Sequence, residues 1–245
     1  MISFATLFAV SMVGQAGPDL CDKLVVRGGD PAPGILVNYT VGARPFDPIN
    51  PSRPTVVAVH GLNPYHPFLH FAMAQRYAES IGRRYGAEVN VVGWDWNAAT
   101  LPSIRPSVIR QNAMAQGYAL GNVLLNAGVD PANVHLIGQS SGCITTTAAA
   151  RFLADRTGRR VGRLTMLDPS QSEHPIIFEQ LDAVSTTAHL EHIWVPGASG
   201  FGCPVNRPGV TNLCVPGPRG VRGLFNPLHL DHLYAIGWHA QEMGR

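Results

Sequence analysis

From Thr55 onward the spacing of apolar positions alternates between two periods. Thr55-Val56-Val57-Ala58-Val59 is an apolar run of strand length, the pattern of a strand covered on both faces. Residues 68–85 change to helical spacing and stop at Gly86. Glu88–Gly93 predicts another strand, Ser107–Leu125 a helix closed near Gly128, and Val134–Ile137 a further strand. Ser141–Asp155 then predicts a helix, Leu164–Leu167 and His192–Val195 strands, and Leu230–Met243 a C-terminal helix. Residues 17–54 are rich in Gly, Pro and Asp, broken by the β-prone runs Leu24–Arg27 and Ile35–Val41, which predicts edge strands and loops. This βαβα order implies an α/β fold, a mainly parallel central sheet with helices on both faces. No repeat and no long linker divides the chain, so residues 17–245 read as a single domain.

The first sixteen residues, MISFATLFAVSMVGQA, carry no charged side chain. The apolar run Ile2–Val13 is too short for a bilayer, and the small residues Gly14 and Ala16 suit a cleavage site. Met1–Ala16 therefore predicts a secretory signal peptide and a secreted or periplasmic protein; a buried N-terminal element is the competing reading. No later stretch is long and apolar enough for a membrane span.

Composition narrows the classes. The 245 residues are 45% hydrophobic and 14% charged, which excludes a disordered chain and a small disulfide scaffold. The net charge of +2 is dispersed, leaving no basic stripe for nucleic acid. Four cysteines suit an exported protein. Cys203 and Cys214 bracket a Pro-, Gly- and Asn-rich loop and are the disulfide candidate; the pairing of Cys21 and Cys143 stays open. Cysteine and histidine spacing fits no metal site, so no metal or other cofactor is expected. Oligomeric state is not legible.

The sharpest chemical signal is Asn133-Val134-His135-Leu136-Ile137-Gly138-Gln139-Ser140-Ser141-Gly142, a strand running through G-x-S-x-G into a helix. In that setting the motif forms a nucleophile elbow, with Ser140 on a tight turn at the carboxyl edge of the sheet. Serine needs a base to take its proton, and the base needs an acid to orient it. The order in this fold is serine, acid, histidine. Asp168, delivered by Leu164–Leu167 just before Pro169, is the candidate acid, with Asp182 as its rival. Among the six histidines after Ser140, His229 and His232 stand near the start of the last helix, and His232 is the candidate base. His239 and His60 read as structural. An oxyanion hole needs two backbone N–H groups. Ser141 supplies one, and Leu62, in the loop His60-Gly61-Leu62 after the first buried strand, the other.

These stretches resemble the pancreatic-lipase-like family of α/β-hydrolases, secreted enzymes that cleave carboxylic esters of lipids. The matching segments are Val57–Leu62 (VAVHGL), Val91–Trp96 (VVGWDW), Gln111-Asn112, Asn133–Gly142, Leu164–Ser170 (LTMLDPS) and Asp231–Leu233 (DHL). They cover roughly residues 55–170 well and the last helix loosely. The resemblance implies a Ser140, Asp168, His232 triad, Leu62 and Ser141 as oxyanion donors, and a lipid-like ester as substrate (lipase, phospholipase A1 or esterase). The family's elbow usually reads GHSLG, where Gln139 and Ser141 stand here; neither side chain is required for the chemistry. Only one acid near Gln180-Leu181-Asp182 fits the family's calcium site, so no calcium requirement is expected. Residues 196–228 replace the lid region with a short Pro/Gly-rich loop, which predicts little interfacial activation. Two alternatives stay open: a non-catalytic homologue that binds lipid or protein, and a hydrolase of another acyl bond such as an amide, thioester or polyester.

Overall fold

The computed structural model describes residues 34–62, 69–100, 105–196, 200–217 and 230–245, all within the unit Pro31–Arg245. Its centre is a seven-stranded sheet in the order β1-β3-β2-β4-β5-β6-β7. β2 (Thr55–Val59) is buried at every position, and β3 (Asn90–Asp95), β4 (Val134–Gln139) and β5 (Val161–Leu167) nearly so. That is why they read as continuous apolar runs: both faces are covered. β1 (Ile35–Asn38) is antiparallel to β3, and every other pairing is parallel.

The long helices are α1 (Leu69–Tyr85), α3 (Pro106–Asn126), α4 (Gly142–Thr157) and α6 (Leu230–Met243); α2 (Asn97–Thr100) and α5 (Ala183–Thr186) are single turns. Strand alternation divides the interior into two apolar layers. Val57, Val59, Leu136, Leu164 and Met166 pack with Leu120 and Ile144 of α3 and α4. Val56, Ala58, Ile137, Leu167 and Ile193 pack with Tyr77 of α1 and Ala235 of α6. A mainly parallel sheet flanked in this way, with a strand–serine–helix turn at its centre, is the α/β-hydrolase fold.

Three expectations are corrected. β6 spans Thr187–Trp194, earlier than predicted, because exposed Ala188 and His189 interrupt the apolar pattern at its start. The segment expected to be only a loop contains β7 (Val210–Cys214), which extends the sheet beside β6. Cys203 and Cys214 are free thiols, not a disulfide. Hydrogen bonds close the turn instead: Asn212 Oδ1 accepts from the Val205 N–H and Asn212 Nδ2 donates to Val205 O, each at 2.8 Å. Cys214 ends an exposed strand paired with Trp194, while Cys203 is half-buried beside Gln171. The expected signal peptide, the Leu24–Arg27 run, Cys21 and His229 lie outside the described residues. No described helix is long and apolar enough to cross a membrane.

Candidate active site

Ser140 stands between the end of β4 and the start of α4, with φ 52. A non-glycine residue in the left-handed region is strained by roughly 1–3 kcal/mol and persists only where its surroundings enforce it. Here the two motif glycines do so. A Cβ on Gly138 would lie 2.6 Å from Gly142 O, and one on Gly142 would lie 2.5 Å from Val59 O. Strand, turn and helix thus approach too closely for any side chain at those positions.

One strand along, the same device recurs. β4 and β5 pair with Gln139 opposite Leu167, and the next residue on each is left-handed, Asp168 having φ 50. The Ser140 N–H donates to Leu167 O at 3.0 Å, and the Asp168 N–H to Ile193 O at 2.8 Å. Serine and acid therefore leave neighbouring strands at the same level of one edge.

Asp168 is fully buried. Its Oδ1 accepts from the Gly202 N–H at 2.9 Å, and its Oδ2 lies 2.8 Å from Nδ1 of His232, in the first turn of α6. An ionised carboxylate only accepts, so the imidazole proton sits on Nδ1 and Nε2 is left as the basic nitrogen. Phe201 packs against that imidazole. The structure thus joins Asp168 to His232 and sets Ser140 beside Leu167, with no Ser140–His232 hydrogen bond formed.

The turn after Asp168 is held by a capping box. The Ser170 N–H donates to Glu173 Oε2 at 2.8 Å, and burial pushes the Glu173 carboxyl up. Sequence reasoning missed this cap, although the S-x-x-E spacing Ser170–Glu173 was the signal that could have found it. Phe201 and Gly202 were not legible, since neither an aromatic between glycines nor a backbone donor announces its partner.

On the other side of Ser140 runs the loop after β2. Gln139 Oε1 accepts the Gly61 N–H at 3.1 Å, and a Cβ on Gly61 would lie 2.7 Å from Ser140 Cβ. Among the described residues no acceptor takes the N–H of Leu62 or of Ser141. His60 is buried, stacks on Trp96 at 5.7 Å and accepts at its carbonyl from Trp96 Nε1.

The remaining candidates sit elsewhere. Asp182 caps α5 through the Ser185 N–H, away from this edge. His239 bonds Tyr77 at 2.8 Å, and His192 bonds Asn212 at 3.1 Å. Cys143 is buried beneath the elbow and donates to Gly138 O at 3.2 Å; burial pushes its thiol up, which suits an inert role. Two clefts of about 300 and 430 Å³ lie at the opposite edge of the sheet, around Arg163 and His189. Among the described residues no three His, Cys, Asp or Glu side chains gather as metal ligands.

Neither a protein-family model nor a curated protein matches the chain. Solved structures are similar in outline. An esterase from Pyrobaculum calidifontis shares 15% identity at TM-score 0.43, over 86% of this chain and 84% of that one. Carboxyl esterase 2 from Tuber melanosporum shares 11% at TM-score 0.47, over 89% and 88%. A sugar hydrolase from Lactococcus lactis shares 14% at TM-score 0.46, over 86% and 93%. Likenesses this distant carry no argument about the reaction, which rests on the site itself.

Proposed function

We propose that this chain is a serine hydrolase of carboxylic esters. The observation that carries the reading is the buried Asp168–His232 pair, 2.8 Å apart, at the edge where strained Ser140 emerges. Ser140 Oγ attacks the ester carbonyl while His232 Nε2 takes its proton. The N–H groups of Leu62 and Ser141 stabilise the tetrahedral oxyanion. Its collapse expels the alcohol, which receives the proton from His232, and leaves an acyl-enzyme. Water, deprotonated by the same imidazole, attacks the acyl carbon; the acid departs and Ser140 regains its proton. Asp168 stays ionised throughout and stabilises the imidazolium.

The motifs VAVHGL, VVGWDW and LTMLDPS support the finer reading, a lipase-like enzyme of the pancreatic-lipase-like family with a lipid-like ester as substrate. The uncharged apolar leader supports export with cleavage after Ala16, leaving residues 17–245 as a single catalytic domain. Sequencing the N-terminus of exported protein tests the leader. Hydrolysis of 4-nitrophenyl butyrate by wild type and Ser140→Ala tests the mechanism: loss in the variant is expected, and equal rates would refute it. A calcium chelator is expected to leave the rate unchanged.

A further inference from the structure

We propose that Gln139 and His60 are positioning residues that clamp Gly61 at both of its peptide bonds beside the nucleophile, and so aim the Leu62 N–H at the oxyanion. The inference rests on the serine-hydrolase reading above and assigns a task to a side chain that the motif comparison left idle.

Gln139 precedes the nucleophile, is 5% exposed and reaches across to accept the Gly61 N–H at 3.1 Å. That bond ties the loop after β2 to the elbow itself, which explains why residue 61 has no room for a side chain: a Cβ there would lie 2.6 Å from Gln139 Oε1. The other end of Gly61 is held as well. Its carbonyl oxygen lies 2.7 Å from His60 Nδ1. The Trp96 N–H points at His60 Nε2 at 3.4 Å, which leaves the imidazole proton on Nδ1 to donate to Gly61 O. Asp95 Oδ1, 3.7 Å from Nε2, is too far to compete for a proton there.

A trans peptide is planar, with its C=O and N–H pointing in opposite directions. Fixing Gly61 O toward His60 therefore fixes the Leu62 N–H, on the same plane, to point the other way. Gln139, bonded to the N–H of the preceding His60–Gly61 peptide, fixes where Gly61 stands, and His60 sets how the Gly61–Leu62 plane is turned. An oxyanion donor is effective only when it is already aimed before charge develops, since its value comes from avoiding reorganisation in the transition state.

Gln139→Met removes the acceptor while nearly keeping the shape. Removing a whole oxyanion donor costs about 10²–10³ in kcat. Loosening one is expected to lower kcat on 4-nitrophenyl butyrate by about ten-fold or more, with KM changed less than about two-fold. Affinity for an alkyl boronic acid, a mimic of the tetrahedral intermediate, should fall in parallel. Exchange of the Gly61 amide proton should speed up. Wild-type kcat in Gln139→Met, or a kcat loss unaccompanied by weaker boronate binding, would overturn the inference. Should Gln139→Met not fold, Gln139→Asn, one methylene too short to reach Gly61, is read by the same measurements. Ser140→Ala separates the two levels: activity surviving there removes the hydrolase reading, whereas an inactive Ser140→Ala beside a fully active Gln139→Met removes only the clamp.

Discussion

Phe201 lays its ring against the imidazole of His232, with centroids 4.3 Å apart and planes at 49°. The next residue, Gly202, donates its N–H to Asp168 Oδ1. One short turn therefore touches both members of the acid–base pair. Phe201→Ala is expected to lower kcat about ten-fold by letting the imidazole rotate, while Phe201→Leu, which keeps apolar contact, loses less. Steady-state kinetics on both variants check this; equal activity in Phe201→Ala and wild type would show that the contact is incidental.

Asp168→Asn keeps an oxygen for the Gly202 N–H but can present an amide N–H to His232. The imidazole then carries its proton on the wrong nitrogen. A fall in kcat of roughly 10³–10⁴-fold is expected, as when the equivalent acid is neutralised in other triads. A circular dichroism spectrum matching wild type would locate the loss in chemistry and not in folding.

Ser140 is strained at φ 52, and glycine adopts that conformation freely. Ser140→Gly is expected to be inactive yet more stable than Ser140→Ala by about 1 kcal/mol, a rise in Tm of about 2–4 °C for a chain of this size. Calorimetry on the two variants decides it, and equal Tm values would mean that the turn stores no strain.

Burial holds His192 and His239 down to about 4. His135 and His174 shift in the same direction for the same reason. In the unfolded chain each titrates near 6.5, so between those values the unfolded state binds more protons. Their contribution is complete above about pH 6.5 and is lost as pH falls toward 4, by about 1.4 kcal/mol per unit for each of the two. Urea midpoints should be flat from pH 8 to 7 and drop clearly by pH 5. His239→Phe should reduce the slope, and an unchanged midpoint at pH 5 in the wild type would contradict the assignment.

The parallel core was legible because β2, β4 and β5 are covered on both faces, so their sequences have little choice but apolar runs. The positions of Ser140 and Asp168 at the strand ends were legible for a related reason: each sits one residue beyond such a run, where the strand must turn. β7 was hidden because it lies at the sheet's edge with four of its five positions exposed, and an exposed strand has no apolar signature. The supports of the site were hidden too. Gln139 acts through its side chain on a loop 78 residues away, and Gly202 acts through backbone that any residue would carry.

The level alignment of β4 and β5, Gln139 opposite Leu167, has an evolutionary corollary. Inserting or deleting one residue within either strand would swap its inward and outward faces. It would also carry Ser140 or Asp168 off the common rim. Lengthening a connection beyond the strands incurs neither penalty. The peripheral loops can therefore change in length without disturbing this rim, whereas the lengths of β4 and β5 cannot.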